Sequence, residues 1–135
     1  MKVYAVYDTN ILVSALLSRK PDSAVVLALE TLLSGEVTPL YNDEILAEYD
    51  DVLHREQFKF PEDLVSGVVN QIKKDGIPSE RISSGESFPD PDDAVFYEVA
   101  LSKDEAFLVT GNTRHFPKTP IVVTPLEFLK ILGKI

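Results

Sequence analysis

Lys2-Val3-Tyr4-Ala5-Val6-Tyr7-Asp8 is the stretch that decides the fold. From Lys2 to Tyr7 nearly every residue is apolar or aromatic, with no alternation of apolar and polar positions. A strand with one wet face alternates, whereas an unbroken apolar run reads as a strand covered on both faces, as in a parallel sheet between helices. Asp8 follows the run directly. That position puts a carboxylate at the carboxyl end of the sheet, where open α/β folds bind their ligands. An Asp there also suits the cap of a helix beginning near Thr9, and both readings stand at this point.

Outward from this strand, Ile11 to Leu17 and Ala24 to Leu33 carry apolar residues at helical spacing, with Pro21 suited to open the second segment and Gly35 to close it. Val37 to Tyr41 reads as a strand. Asn42 is an N-cap candidate, followed by Asp43 and Glu44 in the first turn of a helix to about Arg55. Pro61 opens a further helix that ends at Lys73-Lys74-Asp75-Gly76, with cations and glycine where a C-terminus prefers them. Ile77 to Ile82 predicts a weak strand and Ser83 to Pro89 a loop. Asp90-Pro91-Asp92-Asp93 combines a cap, a proline at the first helical position and acids in the first turn, so a helix is expected from there to about Ser102. Ala106 to Thr110 and Pro120 to Val123 read as short strands, and Pro125 to Leu132 as a last amphipathic helix. The order β-α-α-β-α-α-β-α-β-β-α predicts a three-layer α/β/α sandwich around a central, mainly parallel sheet. No repeat, low-complexity tract or linker breaks the chain, so a single domain over residues 1–135 is expected.

Composition narrows the chemistry. In 135 residues, 44% are hydrophobic, enough to bury a core, and 26% are charged. No apolar run approaches the ~20 residues needed to span a bilayer, and the N-terminus lacks the features of a signal peptide; a cytoplasmic protein with no membrane association is expected. The chain has no cysteine, which excludes disulfides, zinc–thiolate sites and thiol nucleophiles. A bound metal would have to sit on oxygen or imidazole. The formal net charge of −9 runs against nucleic-acid binding, which rests on neutralising phosphates with Lys and Arg, unless part of that charge belongs to a metal site whose cations invert the local field.

Three acids stand out by position. Glu48 lies in a helix whose apolar stripe is Ile45, Leu46, Tyr49, Val52 and Leu53, and at ~100° per residue it falls at the edge of that stripe. A boundary carboxylate can point into a cleft or into solvent, as Asp50 and Asp51 are expected to do. Asp93 shares a face with Phe96, Tyr97 and Ala100, which places it on the core side of its helix. A core-facing carboxylate has to be hydrogen-bonded, paired or metal-bound. Asp90 is the better cap, and three acids in four positions exceed what one helix start needs. Thr110-Gly111-Asn112 ends a second buried strand, so a polar group is expected at the same sheet edge as Asp8, although Gly and Asn also make ordinary turns. Arg19 and Lys20, and Arg114, His115 and Lys118, are candidates for rimming the cleft, with solubilising charge the competing explanation. His54 and His115, the two histidines, are expected on the surface or in loops.

Taken together, Asp8-Thr9-Asn10-Ile11-Leu12, Glu48, Asp90-Pro91-Asp92-Asp93-Ala94-Val95-Phe96 and Leu108-Val109-Thr110-Gly111-Asn112 resemble the PIN-domain family, specifically the PIN toxins of bacterial and archaeal toxin–antitoxin systems. The resemblance implies an α/β/α sandwich whose acids meet at the carboxyl edge of a parallel sheet to hold magnesium or manganese for RNA cleavage. It implies Asp8, Glu48 and Asp93 as the catalytic, metal-binding carboxylates, with Asp90 and Asn112 as further members. It also implies cleavage leaving a 5′-phosphate and a 3′-hydroxyl, a cognate antitoxin protein as partner, and self-association as a homodimer. Many relatives carry an Asp where this chain has Asn112, so one acidic ligand is missing. Independently of the family, clustered carboxylates without cysteine match hard cations that prefer oxygen and keep waters. Two alternatives compete with this reading: a phosphoacceptor receiver domain, which lacks its acidic pair after strand one and its late Lys here, and a catalytically impaired PIN fold serving as a binding module.

Overall fold

The computed structural model describes residues 2–135. Five strands form one sheet, every adjacent pair parallel, in the order β3-β2-β1-β4-β5. They are β1 (Val3–Tyr7), β2 (Val37–Tyr41), β3 (Ile77–Pro78), β4 (Phe107–Val109) and β5 (Val122–Val123). The helices are α1 (Thr9–Leu17), α2 (Ala24–Leu33), α3 (Asp43–Leu53), α4 (Glu62–Asp75), α5 (Ala94–Ala100) and α6 (Pro125–Ile131). The result is an α/β sandwich whose sheet is wholly rather than mainly parallel.

The opening run behaves as its composition requires. Ala5, Val6 and Tyr7 are consecutive and all fully buried, so both faces of β1 are covered. The Tyr7 ring meets Phe128 of α6 edge-on at 6.2 Å, and its hydroxyl shares a 2.9 Å hydrogen bond with Thr31 of α2. Tyr49 of α3 donates its hydroxyl to the Tyr7 carbonyl, and its ring lies 6.3 Å from Phe96 of α5. Parallel strands need a crossover at every step, and right-handed crossovers place their helices on opposite faces when the direction of travel reverses. That reversal falls at β1: the chain steps outward through β2 and β3, then returns across the sheet to β4. The crevice at the carboxyl ends of β1 and β4 is therefore the switch point at which such folds bind ligands.

The element order matches the expectation, with differences at the edges. β3 stops at Pro78 instead of running to Ile82. Pro78 has no N–H to offer a ladder, and after Ser79 donates to the Tyr41 carbonyl the chain turns away, Ile82 N–H bonding to Glu98 O of α5 at 3.1 Å. β5 begins at Val122 rather than Pro120. The start at Asp90 is a 3₁₀ turn, Pro91–Asp93, leading into α5. α2 is capped by Ser23 and left through Gly35, whose φ of +80° is open to glycine without strain. Asn42 caps α3 as its position implied, its side chain accepting from Ile45 N–H at 2.9 Å.

Candidate active site

Asp8, Glu48 and Asp93 come from three different elements and line one cleft of about 270 Å³, together with Asn10, Asp90 and His115 among others. Asp8 is held by the sheet itself. Its N–H continues the β1–β4 ladder to Val109 O at 2.9 Å, so its side chain stands directly beyond the last paired residues. The carboxylate is 4% exposed and accepts a 2.7 Å hydrogen bond from the hydroxyl of Thr110, the residue that follows β4. It stands at the N-cap of α1 without a side-chain capping hydrogen bond of ordinary geometry, although the Thr9 and Asn10 amides at the start of that helix favour its charged form.

Glu48 sits on the flank of α3, one position before Tyr49, whose ring is buried under the sheet. It accepts a hydrogen bond from the Thr9 hydroxyl, which ties α3 to the residue after Asp8. Asp93, at the junction of the 3₁₀ turn and α5, leaves only 19% of its side chain exposed and faces His115 Nδ1 across 3.5 Å. Asp90 performs the capping expected of it, accepting from Asp92 N–H at 3.0 Å, while also lining the cleft.

The three carboxyls share one electrostatic signature. Burial pushes Asp8 above the usual carboxylate range, although the Thr110 hydroxyl, the backbone amides of Asn10 and Thr9, and His115 pull the other way. Glu48 is raised by burial, against the pull of Thr9, and further by the charges of Asp8, Asp93 and Asp92. Asp93 is raised by burial and then by Asp8 and Asp90, with His115 offsetting part. Burial is the leading cause in all three, and for Glu48 and Asp93 the neighbouring carboxylates add to it, as like charges converging without a counter-charge do. Such a group of perturbed acids in a cleft is the physical signature of a functional site.

The donor set fits a hard divalent cation in chemistry: carboxylate oxygens, one imidazole at the rim, and a polar cleft. Among the described residues, no three acidic or imidazole groups are arranged to enclose an ion as they stand. An ion that retains several of its waters needs only one or two direct carboxylates, and Asp8, Glu48 and Asp93 are the groups present to supply them.

Other candidates fall elsewhere. Asn112 is exposed and does not line the cleft; it reaches Asp8 at one remove, its N–H donating to Thr110 Oγ1 at 3.0 Å. Arg19 and Lys20 do not line the cleft, and Arg55 does. His54 is exposed and lies between Asp50 and Glu62. His115 is on a loop turn as expected, yet faces Asp93. Sequence reasoning passed over Thr9 and Thr110 as partners of the acids. The signal for Thr110 was available: a hydroxyl directly after a buried strand that neighbours the Asp8 strand.

Residues 4–114 match the PIN domain family, and because that match spans most of the chain, this protein belongs to it. PIN domains are generally nucleases, typically use divalent metal ions, and as nucleases act on RNA. No curated protein shows significant similarity to the chain. No helix among the described residues is long and apolar enough to cross a membrane.

Proposed function

We propose that this PIN domain is a magnesium- or manganese-dependent endoribonuclease and the toxin of a toxin–antitoxin pair. The observation that carries the nuclease reading is the convergence of Asp8 after β1, Glu48 in α3 and Asp93 just before α5 on one cleft, with each carboxyl held above its ordinary range. Asp8, Glu48 and Asp93 are assigned as metal ligands, with Asp90 as an outer member; Asn112 lies outside the cleft and touches the site only through Thr110. When bound, a divalent ion would orient an attacking water and stabilise charge on the leaving oxygen of a phosphodiester. Asp8 is fixed in place by Thr110, and Glu48 by Thr9, so two of the three carboxylates are oriented before substrate arrives. A cleft of net negative charge repels phosphate on its own; neutralisation of these carboxylates is therefore a condition for the backbone to approach.

A toxin has to be silenced, and an acidic cleft suits a basic blocker. An antitoxin segment carrying Arg or Lys would pair with Asp8 and Asp93. The second reading, a binding module without catalysis, draws on the absence of three acids ready to enclose an ion and on Asn112. Incubation of the purified protein with end-labelled single-stranded RNA separates the two. The nuclease reading predicts fragments with magnesium or manganese, none with EDTA, and loss of cleavage in Glu48→Gln and Asp93→Asn. Manganese titration without binding or cleavage would support the module. Co-expression with the product of an adjacent gene tests the toxin assignment, which falls if no complex forms and growth is unaffected by the chain alone.

A further inference from the structure

A second pocket, of about 370 Å³, opens on the other side of the turn that carries His115. The 3₁₀ turn Thr113–His115 links the two: His115 lines the acidic cleft, whereas Arg114, its neighbour, lines this pocket. Lys118 is the second cation on its wall, and no acid lines it. In a chain of formal charge −9, that is an unusual local balance, and among the described residues neither Arg114 nor Lys118 forms an ion pair within the protein. The apolar part of the wall is Phe116, Pro117 and Val122. Phe116 is buried, its ring 6.2 Å from Phe88, which in turn lies 6.0 Å from Tyr97 of α5, so this wall is anchored to the helix that directly follows Asp93. Thr119 also lines the pocket and holds a hydroxyl oxygen that is buried without a hydrogen-bond partner. The volume lies within the ~300–1,000 Å³ usual for small-ligand sites.

We propose that this pocket is a nucleotide subsite of the RNA-binding surface: Arg114 and Lys118 take a backbone phosphate flanking the scissile bond, and the Phe116–Pro117 wall takes the attached sugar and base. The inference rests on the nuclease reading and deepens it by assigning where the strand is held. Phosphate contacts of this kind set register without reading sequence, and here the acidic cleft cannot itself attract the strand. The segment from Arg114 to Lys118 then presents cations to one phosphate beside the cleft that takes the next. Both cations are exposed, so their removal does not disturb the core.

The test uses the full chain with manganese present and a short fluorescent single-stranded oligoribonucleotide with phosphorothioate linkages, which keep the backbone charge while slowing cleavage. Its affinity is read by anisotropy across NaCl concentrations, with and without Arg114→Gln and Lys118→Gln. Each lost phosphate contact lowers the slope of log K against log salt by about 0.7 for a single strand, so the double change, which removes the one phosphate contact assigned to this pocket, should lower it by about 0.7 and weaken binding. With unmodified RNA, the same double change should raise KM by a larger factor than it lowers kcat. An unchanged slope and affinity in a parent that cleaves RNA would overturn the subsite and leave the nuclease reading in place. A reduced slope in a protein that cleaves no RNA under any metal would do the reverse. No RNA binding by the parent would overturn both.

Discussion

The Thr110 hydroxyl is the most specific contact made by Asp8, the least exposed acid of the cleft. Thr110→Val keeps the shape but leaves a buried carboxylate oxygen without its donor, and a loss of about 1–3 kcal/mol at neutral pH is expected in urea unfolding. The pH dependence of the metal-free protein has a definite sign. Asp8, Glu48 and Asp93 are raised in the folded state, so the stability they contribute is present below their unfolded values and lost as pH rises through the folded ones. In EDTA the protein should melt higher near about pH 5 than at pH 7. His54, raised by the Asp50 carbonyl and Glu62, adds the same sign from the surface. The comparison is therefore with Asp8→Asn, which keeps His54 and should show a higher metal-free melting temperature at pH 7 and a shallower pH dependence. An identical profile in the variant would mean that Asp8 is not under the strain assigned to it. Asp8 and Asp93 were legible in the sequence because position after a buried strand, and helical phase, are local properties. Thr9 was not, since its significance exists only once β1 and α3 are side by side, whereas His115, a candidate for the rim, does line the cleft.

At the level of elements, the approach to Asp93 depends on a tether. Arg81, in the segment between β3 and α5, donates to Glu98 of α5 at 2.6 Å and to Glu44 of α3 at 2.8 Å, and the Ser84 amide and hydroxyl bind the other Glu98 oxygen. Burial pushes the Glu98 carboxyl up, but Arg81 and Ser84 outweigh it and hold the group below its ordinary range. Its contribution is therefore present above the ordinary carboxylate value and lost as pH falls through the lower folded one, which sets an acid limit to the rise described above. Arg81→Met leaves Glu98 largely buried without its cation. A cost of about 2–3 kcal/mol is expected, below the ~3–5 of a fully buried pair because the arginine is partly exposed. The check is denaturant unfolding at neutral pH. Asn42→Ala, which removes the α3 cap, should cost about 1 kcal/mol. The caps at Asn42 and Asp90 were readable from residue type, as was the sequence of strands and helices. The Arg81–Glu98 tether was not: Ile77 to Ile82 reads as a strand by composition, and only the missing N–H of Pro78 and the pull of Glu98, seventeen positions after Arg81, explain why it ends early.

For the whole molecule, the sheet order β3-β2-β1-β4-β5 gathers the acids of the proposed site at one edge. It sets Asp8 and Thr110 at the ends of neighbouring strands and brings α3 and α5 over them. A net charge of −9 then has a local meaning, since part of it is gathered where a cation would neutralise it. Manganese should stabilise the folded protein by about 2.7 kcal/mol at a hundredfold excess over its Kd, seen as a rise in melting temperature that Asp8→Asn largely abolishes. The central claim is tested most directly by one measurement: manganese-dependent cleavage of single-stranded RNA by the parent and by Asp8→Asn, each shown to be folded by circular dichroism. The parent should release fragments with manganese and none with EDTA, and Asp8→Asn should release none under either condition. Equal cleavage by a folded Asp8→Asn protein would contradict the assignment of this cleft as the active site.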